Sequence, residues 1–274
     1  DAGTGAHSRC LAQVLPGRIA FASQRDGNWE IYVMRPGQPA TMQRLTDHPA
    51  DDLYPAWSPD GRQLAFMSRR DGNAEIYVLD LATGAARRVT NQPSEEWAPT
   101  WSPDGQHLAY QSDRNGQSDI YVCALDGSAE TRLTPMEGNH EAPHWSPDGR
   151  QFVFDSDLDV TQAVHASINV YFMNADGSNP RRFVNNAESP CWRPDGQAIA
   201  FTTRRTGYWQ IFLLNLDGTG WATAIDMGGE SAWPAVCPSN DRMVFSRQDG
   251  SWSPSEKLYV AEPPAYSLRT LVFG

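Results

Sequence analysis

The chain has 274 residues, is 40% hydrophobic and 11% aromatic, and contains 10 Trp, 20 Pro and 22 Gly. That composition excludes a disordered polymer and suits many short strands joined by tight turns around a sizeable core. A formal charge of -11 works against binding a phosphate backbone, where affinity comes mainly from Lys and Arg, and no run approaches the roughly 18 apolar residues of a membrane-crossing helix. The expectation is therefore no nucleic acid and no membrane insertion.

Asp1 to Arg9 reads as a tail without the basic and apolar layout of an export signal, and the chain does not begin with Met. The expectation is a processed or trimmed product, with residues 1–9 as tail and 10–274 as one domain. Cys10 to Val14 is predicted as the inner strand of a first, eroded repeat unit, because Leu15-Pro16-Gly17 stands where later units carry a fuller turn motif.

From there a fixed period organises the chain. Pro55-Ala56-Trp57-Ser58-Pro59-Asp60-Gly61 returns at Pro99 to Gly105 and at Pro143 to Gly149, with degenerate copies from Pro190 to Gly196 and from Pro234 to Asn240. The leading prolines step by 44, 44, 47 and 44 residues. Strand aromatics Phe21, Phe66, Tyr110, Phe154, Phe201 and Phe245 keep the same beat, as do Ile31-Tyr32, Ile76-Tyr77, Ile120-Tyr121, Val170-Tyr171, Ile211-Phe212 and Leu258-Tyr259. Each unit reads as four strands: in the second, one ending at Trp57, then Gln63 to Ser68, Glu75 to Leu81 and Arg87 to Thr90. In Ser-Pro-Asp-Gly the proline pre-sets φ for a type I turn and the glycine takes the left-handed position that closes a hairpin. Six such units predict an all-β six-bladed β-propeller of four-stranded antiparallel blades. Ser267 to Phe273 reads as the last outer strand, so side-chain packing between first and last blades is expected to close the ring.

Across these units, from about Arg18 onward, the chain resembles the TolB-type propeller repeat, as in Ser68-Arg69-Arg70-Asp71-Gly72-Asn73-Ala74-Glu75-Ile76-Tyr77-Val78 with its Trp-Ser-Pro-Asp-Gly turns. TolB itself carries an α/β domain ahead of its propeller, for which this chain is expected to have no room. The resemblance implies a non-catalytic protein-interaction propeller of the cell envelope, periplasmic or extracellular, that binds envelope or surface proteins; a monomer is expected.

Loops between second and third strands, and those leading into the next blade, share one face. Carboxylates at Asp52, Glu96, Glu141, Glu188 and Glu230 are expected to ring that mouth of the channel. They would form either a cation site, with calcium or another divalent cation as candidate, or an electronegative socket for a basic segment of a partner, or else merely accept hydrogen bonds from loop backbone; the last reading is preferred for most of them. Arg25 with Glu30, Arg70 with Glu75, and Arg114 with Asp119 are expected as local ion pairs. In later blades Asn169, Gln210 and Lys257 replace the acid, and two loops lengthen, from Ser156 to Val170 and from Ser246 to Leu258. Those insertions are expected to bring His165 and Trp252 near Tyr208 and Trp209 as an aromatic binding surface.

The rival expectation is a polysaccharide lyase or hydrolase with a metal at the channel mouth, drawing on His48, His140, His144 or His165, whose spacing matches no compact metal motif. Asp155, Asp157 and Asp159 hint at calcium without a twelve-residue calcium loop. Gly229-Glu230-Ser231-Ala232-Trp233 lacks the second glycine of a nucleophile elbow. Cys10, Cys123, Cys191 and Cys237 form no CxxC pair; buried thiols are the preferred reading, with a disulfide between distant blades left open. No cofactor is otherwise expected.

Overall fold

The computed structural model describes residues 12–15, 17–158, 168–205, 207–220, 222–225, 230–236, 243–248, 257–262 and 267–271. Every regular element among them is a strand, and they form six four-stranded antiparallel sheets, each built from one continuous stretch of chain. No helix of the described residues is long and apolar enough to cross a membrane. The six sheets, here called blades, make the β-propeller that the repeat predicts.

The second blade shows the pattern: an inner strand Asp52–Trp57, then Gln63–Ser68, Glu75–Asp80 and a short outer strand Ala86–Arg88. Expected boundaries hold to within one or two residues. The first inner strand is Ala12–Leu15 and the last outer strand Ser267–Leu271; Cys10 lies outside the described residues. Among the described residues no strand is shared between the first and last blades. Ile19, Phe21, Tyr32 and Met34 of the first instead share one apolar cluster with Ala235, Val244 and Val260 of the last.

The two aromatic landmarks of the repeat prove to be direct cross-strand partners. Phe66 faces Tyr77 in register and Tyr110 faces Tyr121, with ring centroids 5.8 and 6.1 Å apart. The same pairing recurs at Phe21–Tyr32, Phe154–Tyr171, Phe201–Phe212 and Phe245–Tyr259. Facing aromatics in an antiparallel pair add stability beyond their buried area, which explains why these positions keep the period. Between blades, the indole N–H of Trp101 donates to the Ala56 carbonyl at 3.0 Å, and that of Trp192 to the His144 carbonyl at 3.2 Å.

The Ser-Pro-Asp-Gly turns close as predicted. Gly61 N–H donates to the Ser58 carbonyl at 2.9 Å with φ at 68°, and the Ser58 hydroxyl donates to Asp60 Oδ1 at 2.7 Å. That hydroxyl, with backbone N–H donors, holds the Asp60 carboxyl below its ordinary range. On the same face, the turn glycines Gly127 and Gly177 come against the preceding blade. A Cβ on Gly177 would lie 2.5 Å from the Leu133 carbonyl oxygen, and one on Gly127 2.3 Å from that of Val89. With φ at 83°, Gly177→Ala meets both a backbone clash and left-handed strain, so urea unfolding should show a loss of about 2 kcal/mol or more.

Candidate binding face at the channel mouth

The inner strands of the second to sixth blades start at the mouth, and each has a register shift at its proline. Tyr54, Ala98, Ala142 and Ser189 all have left-handed φ, between 48° and 55°. These are non-glycine residues in a sparsely populated region, so the fold holds four repeated sites of local strain around the channel. Two of the bulge amides are answered by side chains of the preceding blade: Ala142 N–H donates to Gln111 Oε1 at 3.0 Å, and Ser189 N–H to Asp155 Oδ2 at 2.8 Å.

The bulge also separates the acids into two rows. Asp52, Glu96, His140 and Ala187 occupy one register position, opposite Ser68, Ser112, Ser156 and Thr203; Leu53, Trp97, Glu141 and Glu188 occupy the next, opposite Met67, Gln111, Asp155 and Thr202. The expected single ring of carboxylates is therefore two half-rings with different surroundings. Spacing to the proline was the legible signal: the acid stands three residues ahead at Asp52 and Glu96, but two ahead at Glu141 and Glu188.

The first row is structural. Asp52 is fully buried and takes both oxygens to Arg70 Nη2, at 3.2 and 2.9 Å. Glu96, also fully buried, accepts from the hydroxyls of Ser94 and Ser112 at 2.7 Å and from Arg114 Nη2 at 3.2 Å. Burial pushes both carboxyls upward, against the opposing hydroxyls and guanidinium groups. In the fourth blade His140 replaces the acid and meets Ser156 Oγ through Nδ1 at 2.9 Å, while Leu158 replaces the arginine.

These contacts correct the expected local ion pairs. Arg70 and Arg114 reach back to the inner strand, and the acid that opens each third strand pairs with the outer strand instead. Glu30 meets Arg44 at 2.8 Å, Glu75 meets Arg88 at 2.5 Å, and Asp119 meets Arg132 at 2.8 Å. Arg25 instead donates to Ser23 Oγ at 3.2 Å. Burial would raise Glu30, but donors from Thr46, His48, Arg44 and Asn28 outweigh it and hold the carboxyl below its usual range. Side chains at loop spacing looked adjacent; the pleat sends them to different neighbours.

The second row is different in kind. Glu141 and Glu188 are half-buried, and neither has a hydrogen-bond or ion-pair partner among the described residues. Both carboxyls are pushed up to about 7. Burial is the main cause; Asp157 adds repulsion at Glu141, and Glu141 adds repulsion at Glu188 against a weaker pull from Arg204. On the same blade as Glu188, Tyr208 is 55% exposed and Trp209 lies under the Arg204 guanidinium, 4.7 Å from Cζ to the ring centre. Glu230 opens the strand Glu230–Val236, and its side chain is outside the description. His165, Trp252 and Asp159 lie outside the described residues, so the expected aromatic cluster is represented by Tyr208 and Trp209.

Below the second row lies a cavity of about 430 Å³ that the sequence reading missed. Its walls are the repeat motif itself: the prolines at 55, 99, 143, 190 and 234, with Trp57, Trp101, Trp145 and Trp192. His144 reaches it where Ala56, Thr100, Cys191 and Ala235 stand in the other blades, and burial pushes that imidazole down to about 4, keeping it neutral.

The metal and peptidase expectations find little here. Among the described residues no three of His, Cys, Asp and Glu converge as a ligand set. His48 accepts from Ala50 N–H through Nδ1, Asp157 accepts from Asn139 N–H, and Asp155 holds the Ser189 amide. Ser231 sits within a strand instead of a strand-to-helix elbow. Cys123 is a buried free thiol, which burial raises to about 12, and Cys191 is likewise buried; Cys10 and Cys237 lie outside the described residues.

The family model described as the TolB beta propeller domain matches residues 16–96 and 73–166. A search of curated proteins finds no match. Among solved structures, the chain is similar to a TolB from Agrobacterium tumefaciens, with TM-score 0.73, 24% identity, and 84% of each chain covered. It is also similar to TolB from Acinetobacter baumannii, with TM-score 0.77 and 20% identity over 92% of this chain and 62% of that one. An oligogalacturonate lyase in complex with manganese matches at TM-score 0.60 and 19% identity, over 93% of this chain and 73% of that one. At these identities the likeness carries the fold alone.

The two rows predict different responses to substitution. Arg70→Met leaves a buried carboxylate without its cation and should cost about 3–5 kcal/mol in chemical denaturation. Glu141 and Glu188, raised in the folded state, favour folding below the unfolded value of 4.5 and lose that contribution as pH rises through about 7. Glu141→Gln and Glu188→Gln should therefore each stabilise the protein relative to the parent at pH 8, by about 1 kcal/mol or more, with the gap closing by pH 5 in thermal unfolding.

Proposed function

Because the chain belongs to the TolB beta propeller domain family, we propose that it is a non-catalytic protein-binding module of the bacterial cell envelope, periplasmic or extracellular. It docks its partner on the mouth face, centred on the fifth blade.

One observation carries this reading. Tyr208 is the exposed aromatic among the described residues, and it stands beside the Arg204–Trp209 stack on the face that also presents Glu188. Elsewhere on that face Asp52, Glu96, Glu30, Glu75 and Asp119 are tied to arginines and hydroxyls inside the blades. Exposed Tyr and half-buried Trp with a neighbouring Arg are the residue types that dominate binding energy at protein interfaces. The alternative, a carbohydrate lyase or hydrolase, has the manganese-bound oligogalacturonate lyase as a fold neighbour. It lacks a ligand set among the described residues, which favours the binding reading.

A photo-crosslinking residue at position 208 should give discrete protein adducts in cells, whereas one at Leu216, an exposed residue in a turn on the opposite face, should not. Tyr208→Ala with Trp209→Ala should weaken binding of the captured partner at least tenfold in a titration, about 1.4 kcal/mol. Equal adducts from both faces, or metal-dependent cleavage of oligogalacturonate by the purified protein, would overturn the reading.

A further inference from the structure

The fourth and fifth blades hold an acidic feature that their structural role does not explain. Buried acids of the second and third blades each face an arginine, but Glu141 and Glu188, on neighbouring inner strands, have no such partner and repel one another. Two further polar groups beside them are unanswered. Thr202, fully buried and directly opposite Glu188 in register, has no partner for its hydroxyl; Ser189, 8% exposed and in the cavity wall, has none for Oγ. These oxygens are independent of the carboxylates and are the kind of group a bound donor satisfies.

The cavity supplies the other half of a site. Ala142 and Ser189, which line it, each directly follow one of the two glutamates in the chain, so the strands that carry the carboxylates run straight into an apolar space of about 430 Å³ walled by proline and tryptophan. A pocket with apolar walls and a few polar groups at one end selects amphipathic ligands by orientation. A divalent metal is disfavoured, since no three ligands converge among the described residues.

We propose that the channel binds a small organic cation, an aryl- or alkylammonium, whose ammonium sits between Glu141 and Glu188 with the Ser189 and Thr202 hydroxyls as further acceptors, and whose apolar body fills the proline- and tryptophan-lined cavity. The cation removes the carboxylate repulsion that the empty site carries, and three ammonium N–H donors match the acceptors present. Ligand size is bounded by the cavity. This site is distinct from the Tyr208 surface and can fail or hold independently of it.

The test is a fluorescence titration, using the tryptophans of the wall, with phenethylammonium chloride, its neutral counterpart phenethyl alcohol, and calcium chloride. The expected result is a saturable change with phenethylammonium and at least tenfold weaker binding of the alcohol. Glu141→Gln and Glu188→Gln should each weaken the ammonium at least tenfold while unfolding at or above the parent temperature, and Thr202→Val should weaken it about threefold. Calcium should not compete at equal concentration. The proposal is overturned if the alcohol binds as well as the ammonium, if the glutamine variants bind as the parent does, if calcium displaces the ammonium, or if no saturable change occurs up to 20 mM. Crosslinking from position 208 reports on the protein-binding surface separately.

Discussion

The left-handed residue ahead of the inner-strand proline in the second to fifth blades is the constraint on which the channel there depends. Tyr54, Ala98, Ala142 and Ser189 each interrupt the ladder, so the strand above the bulge and the strand below it present their side chains in unrelated phase. Below it, proline and tryptophan line the axis and lock one blade to the previous one. Above it, a change of one residue in the position of an acid sends that acid to a different set of neighbours. The strain is tolerated because the surrounding packing over-determines it, with Gln111 and Asp155 holding two of the displaced amides.

This divides the molecule into a part whose buried acids face arginines and a part whose acids do not. In the first three blades each buried acid of the third strand meets an arginine of the outer strand and a threonine two residues beyond it, as Glu75 does with Arg88 and Thr90. Removing any one member strands a charge in a low-dielectric interior, so these groups are bound together by the cost of separation more than by net attraction. The fourth and fifth blades drop the acid and the threonine: Asn169 and Gln210 stand for the acid, and Val184 and Ile225 occupy the threonine's place, while Arg182 keeps the arginine's position in the fourth. Freed from that network, they carry the unpaired Glu141 and Glu188.

Much of the fold was legible because a propeller repeats its packing solution. The Phe66–Tyr77 type of pair, the Pro-x-Trp strand and the glycine turn each recur at one period, and six repetitions average out local ambiguity. Less of the site was legible. That Arg70 serves Asp52 and not Glu75 depends on which side of the sheet each side chain leaves, and loop spacing does not report that. The cavity was hidden for the opposite reason: Pro143 and Trp145 read as repeat furniture, and only the assembled ring turns the prolines of five blades and the tryptophans of four into a continuous wall. The two-residue spacing of Glu141 and Glu188 from their prolines was present in the chain and is intelligible once the bulge is known.

Among the described residues each of the six sheets is assembled from its own segment of chain, and the first and last meet through side chains such as Phe21 and Val244. In a ring closed by exchanging a strand, one sheet must wait for a segment hundreds of residues away and bear the entropy of closing that loop. Here every sheet is complete as soon as its own forty-odd residues are available. The contacts that define a blade are short-range along the chain, so the blades are able to form in order as the polypeptide emerges from the ribosome, with ring closure left as a final docking of preformed surfaces.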